Sequence, residues 1–398
     1  MRGETELLVI GAGPAGSSAA AAALGAGLAV TQLEAARFPR VKPCAGGLTP
    51  KAVAVLPVAL APSLRGSFVE FEFNAWRGSR TVYSFRAPVL SMVARPELDA
   101  RLVAENRARP GFAFHDGERV LSIAWRAGRF HVRTAARELV ARQLVGADGA
   151  NGIVNRTFRV SAPRARALAV EVVLPRAELA GDPVPRPCFD FGALPRGYGW
   201  VFPKDDQVSV GLYTLAGGLK DVRARLAQYL AAKGLRVRGD ALASFEAHTI
   251  PLGGERLRDP GLPLYVAGDA AGLADALTGE GIYHALASGR IAGELAARVA
   301  HGQGAPEEYR RRLARPVLAD TRWSLRLAPA FYARPDLALR LLRSSPLWRA
   351  LVHGTGSGAT FSACLRGAPR LWWTSRRAGT AALQRGPRTV GLQPGSDG

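Results

Sequence analysis

ELLVIGAGPAGSSAAAAALGAGLAVTQLE, residues Glu6–Glu34 of this 398-residue chain, contains two apolar segments on either side of a run of small residues. Leu7–Ile10 and Leu28–Leu33 have the length and composition of buried strands, and Ala15–Leu24 that of a closely packed helix. This order predicts a βαβ unit. The stretch is uncharged between its acidic ends, but the glycine-rich turn within it argues against a membrane span or a signal sequence.

The turn Gly11-Ala12-Gly13-Pro14-Ala15-Gly16 matches the GxGxxG pattern of dinucleotide-binding proteins. It follows a strand and opens a helix, which is the context that makes the pattern specific. The first glycine permits the tight turn, the second lets a pyrophosphate approach the backbone, and the third packs the helix on the strand. The helix N-terminus favours the anion. Glu34, which ends the second strand, is expected to bind the ribose hydroxyls.

Two later segments favour FAD over NAD. LVGADGANG, residues 144–152, is a strand followed by the Asp148-Gly149 pair, and YVAGDAAGLADALTGEGIYHALASGR, residues 265–290, is a strand, the Gly268-Asp269 pair and a second glycine turn before a helix. Asp269 is expected to bind ribityl or ribose hydroxyls. Turn amides around Gly279 and Gly281 are expected to face a flavin ring, where a helix N-terminus stabilises negative charge.

The chain carries a net charge of +21, and only five of its 53 basic residues are lysine. From residue 301 onward there are 16 arginines, no lysine and five acids. Such a surface suits an anionic membrane or an acidic protein partner, while a solvated arginine-rich face is the alternative. No zinc-finger, RNP or basic-zipper pattern accompanies the charge, so no nucleic-acid partner is expected.

The three cysteines are widely spaced and odd in number, which favours a reducing compartment over a disulfide scaffold. We therefore expect a cytoplasmic protein, or one attached to the membrane surface. Cys44 lies in a small-residue loop, VKPCAGGLTP (Val41–Pro50), where it either lines a ligand site or belongs to a simple turn. No metal site is predicted.

An aromatic segment, Tyr198-Gly199-Trp200-Val201-Phe202-Pro203, has the alternation of a β-strand. Its three aromatic side chains would share one face and form either an apolar wall or part of a plain core. Gly211 follows after seven intervening residues.

With these motifs the chain resembles FAD-dependent enzymes of the p-hydroxybenzoate hydroxylase fold, over roughly the first 300 residues. Within that fold it most resembles the geranylgeranyl reductase family, whose PCGGG-type loop is similar to residues 43–47 and whose YxWxFP…GxG signature is similar to residues 198–213. The segment Thr278-Gly279-Glu280-Gly281-Ile282 adds to this likeness. The chain departs from the signatures at Ala45 and Tyr213, so the identity of the substrate is more open than the class of enzyme.

The resemblance implies an α/β fold, in which a Rossmann-like FAD-binding domain is interleaved with an antiparallel β-sheet substrate domain and followed by a helical C-terminal region. Residues 1–62, 91–162 and 249–300 are assigned to the FAD-binding domain, and 63–90 and 163–248 to the substrate domain. Residues 301–375 are expected to be helical, and 376–398 to form a disordered tail.

Together, the motifs and the resemblance predict two sets of contact residues. Those expected at the cofactor are Gly11, Gly13, Pro14, Ala15, Gly16, Glu34, Cys44, Ala45, Gly46, Arg95, Asp148, Gly268, Asp269, Gly279, Gly281 and Ile282. Those expected at the substrate are Tyr198, Trp200, Phe202, Pro203 and Gly211. For Arg95, which the fold places at FAD, an ordinary surface arginine is the alternative.

The implied activity is reduction of C=C bonds in a geranylgeranyl or other polyprenyl chain by reduced FAD, as in isoprenoid lipid biosynthesis. Cys44 is the candidate catalytic residue, as a proton source whose pKa Lys42 would lower, or it only lines the pocket. NADPH or a reduced ferredoxin is expected to supply the electrons. One alternative is a monooxygenase or halogenase of the same fold acting on an aromatic or polycyclic substrate, and another is a non-catalytic lipid-carrying flavoprotein.

Overall fold

The computed structural model describes residues 2–179, 184–236, 242–367 and 388–389. The strands are β1 (Arg2–Ile10), β2 (Val30–Leu33), β3 (Gly47–Leu48), β4 (Leu64–Phe68), β5 (Glu70–Ala75), β6 (Arg80–Ser84), β7 (Leu90–Val93), β8 (Phe112–His115), β9 (Ser122–Arg126), β10 (Arg129–Arg133), β11 (Glu138–Gly146), β12 (Ala165–Pro175), β13 (Cys188–Phe191), β14 (Gly197–Pro203), β15 (Gln207–Thr214), β16 (Glu246–Leu252), β17 (Leu264–Val266) and β18 (Arg388–Thr389). The α-helices are α1 (Pro14–Gly25), α2 (Pro50–Ala54), α3 (Arg95–Arg107), α4 (Ile153–Phe158), α5 (Val222–Ala232), α6 (Ile282–Ala300), α7 (Glu308–Leu313), α8 (Ala319–Ala333), α9 (Pro335–Ser344) and α10 (Pro346–Gly356).

The predicted βαβ unit is confirmed and lies at the centre of the first sheet. Strands β8, β2, β1, β11 and β17 are parallel, and the β9–β10 hairpin continues the sheet from the first half of β11. Leu7, Leu8 and Val9 are fully buried. Strands covered on both faces need continuous apolar runs, and β1 has one.

Helix α6 packs closely on α1 because both carry small residues at the contact. A Cβ atom on Gly289 would lie 2.0 Å from the carbonyl oxygen of Ala15, and one on Gly293 would lie 2.1 Å from that of Ala19. The Ser18 hydroxyl also donates to the Leu286 carbonyl at 2.9 Å. The alanine-rich composition of α1 therefore serves helix–helix contact as well as the turn before it.

The second sheet has the order β16-β12-β15-β14-β13-β5-β6-β18, and the small sheet β3-β7-β4 lies apart from it. Most neighbours in the second sheet are antiparallel, while β13 and β5 are parallel. Helices α8, α9 and α10 follow α6 and α7 along the chain. Within the described ranges, no helix is both long and apolar enough to cross a membrane.

The predicted fold class is confirmed, but the domain boundaries stay predictions. The strands of residues 63–90 belong to two different sheets. Strand β4 lies in the small sheet, and β5 and β6 lie in the second sheet. Strand β16 runs across the expected boundary at residue 248. The predicted disordered tail, 376–398, lies outside the described residues except for β18, which pairs with β6.

Candidate active site

A cavity of about 660 Å³ extends from the glycine turn, between the two sheets, to the C-terminal helices. Gly13, Pro14 and Ala15 line one part of it. The aromatic face of the second sheet lines the middle, and leucines of α9 and α10 line the far part. One cavity therefore joins the predicted dinucleotide site to a long apolar space.

The glycine turn has the geometry that its pattern predicts. Gly11 has a φ of +101°, and a Cβ atom there would lie 2.2 Å from the carbonyl oxygen of Ala147. A Cβ atom on Gly16 would lie 2.0 Å from the carbonyl oxygen of Gly11. At Gly13, by contrast, the nearest atom to an added Cβ is Arg40 Nη2 at 3.4 Å, so the backbone there is open to a ligand.

Behind this turn lies a network of charged side chains. The Ala12 N–H donates to Glu34 Oε2 at 2.9 Å, and Arg40 Nη2 contacts Asp99 Oδ2 at 3.2 Å. Asp99 also receives two hydrogen bonds from Arg95, at 3.0 and 2.9 Å. Arg95 is buried and lines the cavity, so it is not an ordinary surface arginine. Burial disfavours its charge, but Asp99 and Cys44 outweigh this and raise the pKa of Arg95.

Asp269 lies in the cavity wall at the start of a 3₁₀ turn after β17. Lys42 Nζ donates to its Oδ2 at 3.2 Å, and His248 Nε2 lies 3.8 Å from the same atom. Burial alone would raise the pKa of Asp269, but Lys42 and His248 together hold that pKa below its ordinary value. Asp269 therefore stays ionised near neutral pH. Lys42, expected to act on the Cys44 thiol, is instead paired with this carboxylate.

Three tyrosines hold the loop before α6. The hydroxyls of Tyr213, Tyr332 and Tyr198 donate to the successive carbonyls of residues 276–278, respectively. Burial raises the pKa of each hydroxyl, so all three remain protonated donors. Asp275 completes the loop by accepting from the N–H groups of residues 277 and 278. The loop shape is thus set by the second sheet and by α8.

Gly279 lines the cavity, but its N–H donates to the Asp275 carbonyl at 2.9 Å, so the predicted contact of this residue with the flavin stays a prediction. Gly281 and Ile282 do line the cavity, at the start of α6, where the first helical turn leaves N–H groups without intrahelical partners. Glu280 also lines it and pairs with Lys51 at 2.8 Å. Burial would raise the pKa of Glu280, but Lys51 reverses this and lowers it.

The cysteine loop lies against the cavity, and its two glycines both line the cavity and pack closely against other strands. Gly46 has a φ of +75°, and a Cβ atom there would lie 2.2 Å from the carbonyl oxygen of Val93. A Cβ atom on Gly47 would lie 3.2 Å from the Phe202 ring. Cys44 is half-buried and lines the cavity together with Ala45. The glycines therefore bring the loop against β7 and β14 while its edge faces the ligand space.

The aromatic residues of β14 share one face, as the alternation predicts. Tyr198, Trp200 and Phe202 line the cavity, and the intervening Val201 packs into a separate core on the other side of the sheet. Gly211 lies behind this wall, since a Cβ atom there would lie 2.2 Å from the Trp200 ring. Gly211 and Pro203 are both outside the described cavity lining, so Gly211 acts by making room for Trp200.

Two predicted cofactor residues take supporting positions. Asp148 Oδ2 accepts from the Val154 N–H at 3.0 Å at the start of α4, and burial raises the pKa of Asp148. Gly268 has a φ of +60° and packs against Ala15 and α6. Neither residue belongs to the described cavity lining, although their chain neighbours do, so direct contact of these two residues with the cofactor stays a prediction.

Glu171 in β12 was missed by sequence reasoning, although it is the one charged residue in the apolar run 168–174. It is 5% exposed and lines the cavity. Lys51 and the leucines of α9 were also missed, since their neighbours in space are far away in sequence. In the described part of the chain, no three His, Cys, Asp or Glu side chains are grouped to hold a metal ion.

The residues present fit FAD. The backbone at Gly13 is open, α1 and α6 both begin at the cavity, and the ionised Asp269 lies between them. His248 Nε2 is buried in the wall without a hydrogen-bond partner among the described residues, as expected of a group that faces a ligand. Fold and site together define an FAD-dependent oxidoreductase.

Comparison with known proteins supports this class. Residues 4–180 match the FAD binding domain family. The chain is 31% identical to geranylgeranyl diphosphate reductase of Rhodobacter capsulatus, covering 73% of this chain and 74% of the relative. It is 33% identical to menaquinone reductase of Mycobacterium tuberculosis, covering 73% and 76%. The chain belongs to the geranylgeranyl reductase family.

A solved structure supports the fold independently. The geranylgeranyl bacteriochlorophyll reductase-like protein of Thermoplasma acidophilum superposes with a TM-score of 0.75 at 17% identity. The match covers 95% of this chain and all of that protein. At this identity, the likeness concerns the fold alone.

Proposed function

We propose that this protein reduces C=C bonds in a geranylgeranyl or longer polyprenyl chain, with reduced FAD as the hydride source. The observation that carries this is the single cavity, which continues from the dinucleotide turn, past the aromatic face of β14, to the leucines of α9 and α10. A linear hydrocarbon needs an apolar space, and the aromatic side chains of β14 and the leucines of α9 and α10 supply one in the part of the cavity beyond the charged groups.

Bound FAD would supply hydride, and the protein would orient the substrate at the cofactor and exclude water from the site. Gly13, Asp269 and the start of α6 would hold the cofactor. Tyr198, Trp200 and Phe202 would hold the alkene in place and exclude water, which converts an encounter in solution into a fixed geometry. Cys44, at the border between these groups, is proposed either to give a proton or to shape the pocket.

The electron donor is proposed to be NADPH or a reduced ferredoxin. The excess of arginine over acids after residue 300 would complement an acidic ferredoxin. Stopped-flow reduction of the oxidised enzyme by each donor separates the two.

The first prediction tests the function itself. Anaerobic, photoreduced enzyme mixed with a prenyl substrate should reoxidise without oxygen and yield a product heavier by two hydrogens per bond, as read by mass spectrometry. The substrates to compare are a free prenyl diphosphate, an ether lipid, a chlorophyll side chain and a quinone tail. Product formation that requires O₂ would instead support a monooxygenase or halogenase. Binding without reoxidation would support a lipid carrier.

We further propose that the protein is cytoplasmic and binds peripherally to an anionic membrane surface. The far end of the cavity would open on that surface. Leu337 and Leu341 on α9 line the cavity and yet are 50% and 44% exposed, so they mark its mouth. Exposed arginines, Arg334 and Arg340, lie beside them. Apolar side chains flanked by arginine are suited to an interface that carries anionic lipids.

The second prediction follows from this mouth. The double variant Leu337→Glu/Leu341→Glu should lose most of its co-sedimentation with vesicles that contain anionic phospholipid, because two carboxylates repel the surface and remove apolar contact. The matched control is Leu121→Glu, a 48% exposed leucine that is not part of the described cavity lining. Equal binding of both variants to the vesicles would contradict the proposed docking.

A further inference from the structure

Strand β12 carries a single acid, and its side chain faces the cavity. Glu171 is 5% exposed and lies between apolar neighbours. Ala167 and Ala169, at two-residue spacing, belong to the cluster around the aromatic face, while Val170 and Val172 pack on the opposite side of the sheet. A carboxyl group on this face lines the same cavity as the aromatic residues that would contact the hydrocarbon chain. Burying a carboxyl group costs free energy unless hydrogen bonds compensate for the lost water.

Hydrogen bonds place this carboxyl at the border of the two parts of the cavity. The Cys44 backbone N–H donates to Glu171 Oε1 through a very short hydrogen bond. The Ser209 hydroxyl donates to Oε2 at 3.2 Å, and the Trp200 indole N–H donates to the Ser209 oxygen at 3.0 Å. Glu171 is therefore hydrogen-bonded directly to the cysteine loop, and it is linked to Trp200 of the aromatic wall through the Ser209 hydroxyl.

The other acids that line the cavity already have ion-pair or hydrogen-bond partners. Asp269 and Glu280 are each paired with a lysine, and Asp275 accepts the N–H groups of its own loop. The direct donors to Glu171 are neutral, and among the described residues it has no salt bridge within 4 Å. Of the four acids, Glu171 is the one whose surroundings are compatible with a neutral carboxylic acid.

We propose that Glu171, rather than Cys44, is the acid that protonates the alkene carbon next to the carbon that receives hydride, which leaves Cys44 the role of shaping the pocket. This inference rests on the proposed function. The two electrons come from reduced FAD, which is oxidised, and the proton comes from the Glu171 O–H. The C=C π bond breaks and two C–H bonds form. The carboxylate that remains is stabilised by the Cys44 N–H and the Ser209 hydroxyl, and a proton from water restores the acid.

The titration behaviour of the site agrees with this assignment. Burial raises the pKa of Glu171 above its usual range, although the Cys44 amide and Lys204 oppose the rise. Glu246, on the neighbouring β16, adds to it. His248 of β16 also lines the cavity. It pairs with Ala169, which lies two residues before Glu171 in β12. Since the acid form is the active one, the rate should be highest at low pH and fall as pH rises through this pKa.

The third prediction is that Glu171→Gln retains FAD and is photoreduced normally but reoxidises with the prenyl substrate about 10² to 10⁴ times more slowly, the usual contribution of a general acid. The matched control is Glu178→Gln, an exposed acid just beyond the end of β12, which should keep the wild-type rate. In the wild type, stopped-flow rates should decline with rising pH, and this limb should be absent from the residual activity of Glu171→Gln.

A spectroscopic readout tests the protonation state without turnover. The infrared spectrum of the FAD-loaded protein at neutral pH should contain a carboxylic acid C=O band that disappears in Glu171→Gln and persists in Glu178→Gln. A wild-type rate in Glu171→Gln, or a band unaffected by the substitution, would overturn the assignment. If the wild-type enzyme reduces no prenyl substrate, the proposed function is wrong. If the wild type reduces the substrate and Glu171→Gln does so equally fast, only the assignment of Glu171 is wrong.

Discussion

Replacing Tyr213 with alanine is expected to lower the free energy of unfolding by about 4 kcal/mol, as is typical when a buried aromatic ring is deleted. Tyr213 is 1% exposed, and its ring stacks on Tyr198 with centroids 5.1 Å apart. Its hydroxyl donates to the Ala276 carbonyl at 3.0 Å. The substitution therefore removes ring packing and one of the three bonds that hold the loop before α6. Urea unfolding followed by circular dichroism measures the loss.

Tyr213→Phe separates the two contributions. Phenylalanine keeps the ring and leaves the buried Ala276 carbonyl without its donor, so the expected loss is about 1–3 kcal/mol. The purified alanine variant should also contain less FAD than the phenylalanine variant, because the loop leads directly to the start of α6. If alanine and phenylalanine destabilise the protein equally, the ring contributes no packing energy and the structural account of this residue is wrong.

Gly289→Ala is expected to destabilise the protein by about 3 kcal/mol through overpacking between α1 and α6. The added Cβ atom would lie 2.0 Å from the Ala15 carbonyl oxygen and 2.8 Å from the Ala15 carbonyl carbon. Both are backbone atoms, so relief requires the helices to move apart. Because Ala15 belongs to the glycine turn, FAD content should fall along with stability. Urea unfolding and the flavin-to-protein absorbance ratio measure the two effects.

The control for this substitution is Gly217→Ala. An added Cβ atom at Gly217 has no neighbour within 4 Å, and this glycine does not have a positive φ. The expected change in stability is within about 0.5 kcal/mol. Equal unfolding midpoints for the two alanine variants would show that α1 and α6 tolerate separation, contrary to the close contact described.

Features that depend on local spacing could be predicted from the sequence. The βαβ unit follows from an apolar run, a glycine pattern and a small-residue run in order, and each of these is set by neighbours within about one helical turn or one strand. The common face of Tyr198, Trp200 and Phe202 follows from the two-residue period of a strand. The family follows from the same short motifs.

Predictions about individual contacts were less successful. Lys42 was expected beside the Cys44 thiol and instead pairs with Asp269. Gly46 was expected at the cofactor and does line the cavity, but its conformation is set by close packing against Val93. A motif specifies which residue types occur and how they are spaced along the chain, but not which distant element they meet.

The sequence alone therefore determines the dinucleotide turn and the aromatic strand, because each arises from short-range periodicity and backbone preference, and the class of enzyme follows from the family resemblance that these motifs carry. The working arrangement of the cavity comes from packing between distant segments. Cys44 and Glu171 are 127 residues apart, and Tyr213 and Ala276 are 63 apart. Such pairs meet because burial of apolar surface brings whole sheets and helices together, and buried polar groups must then find partners across the contact. Glu171 acquires its place beside the cysteine loop only through that assembly.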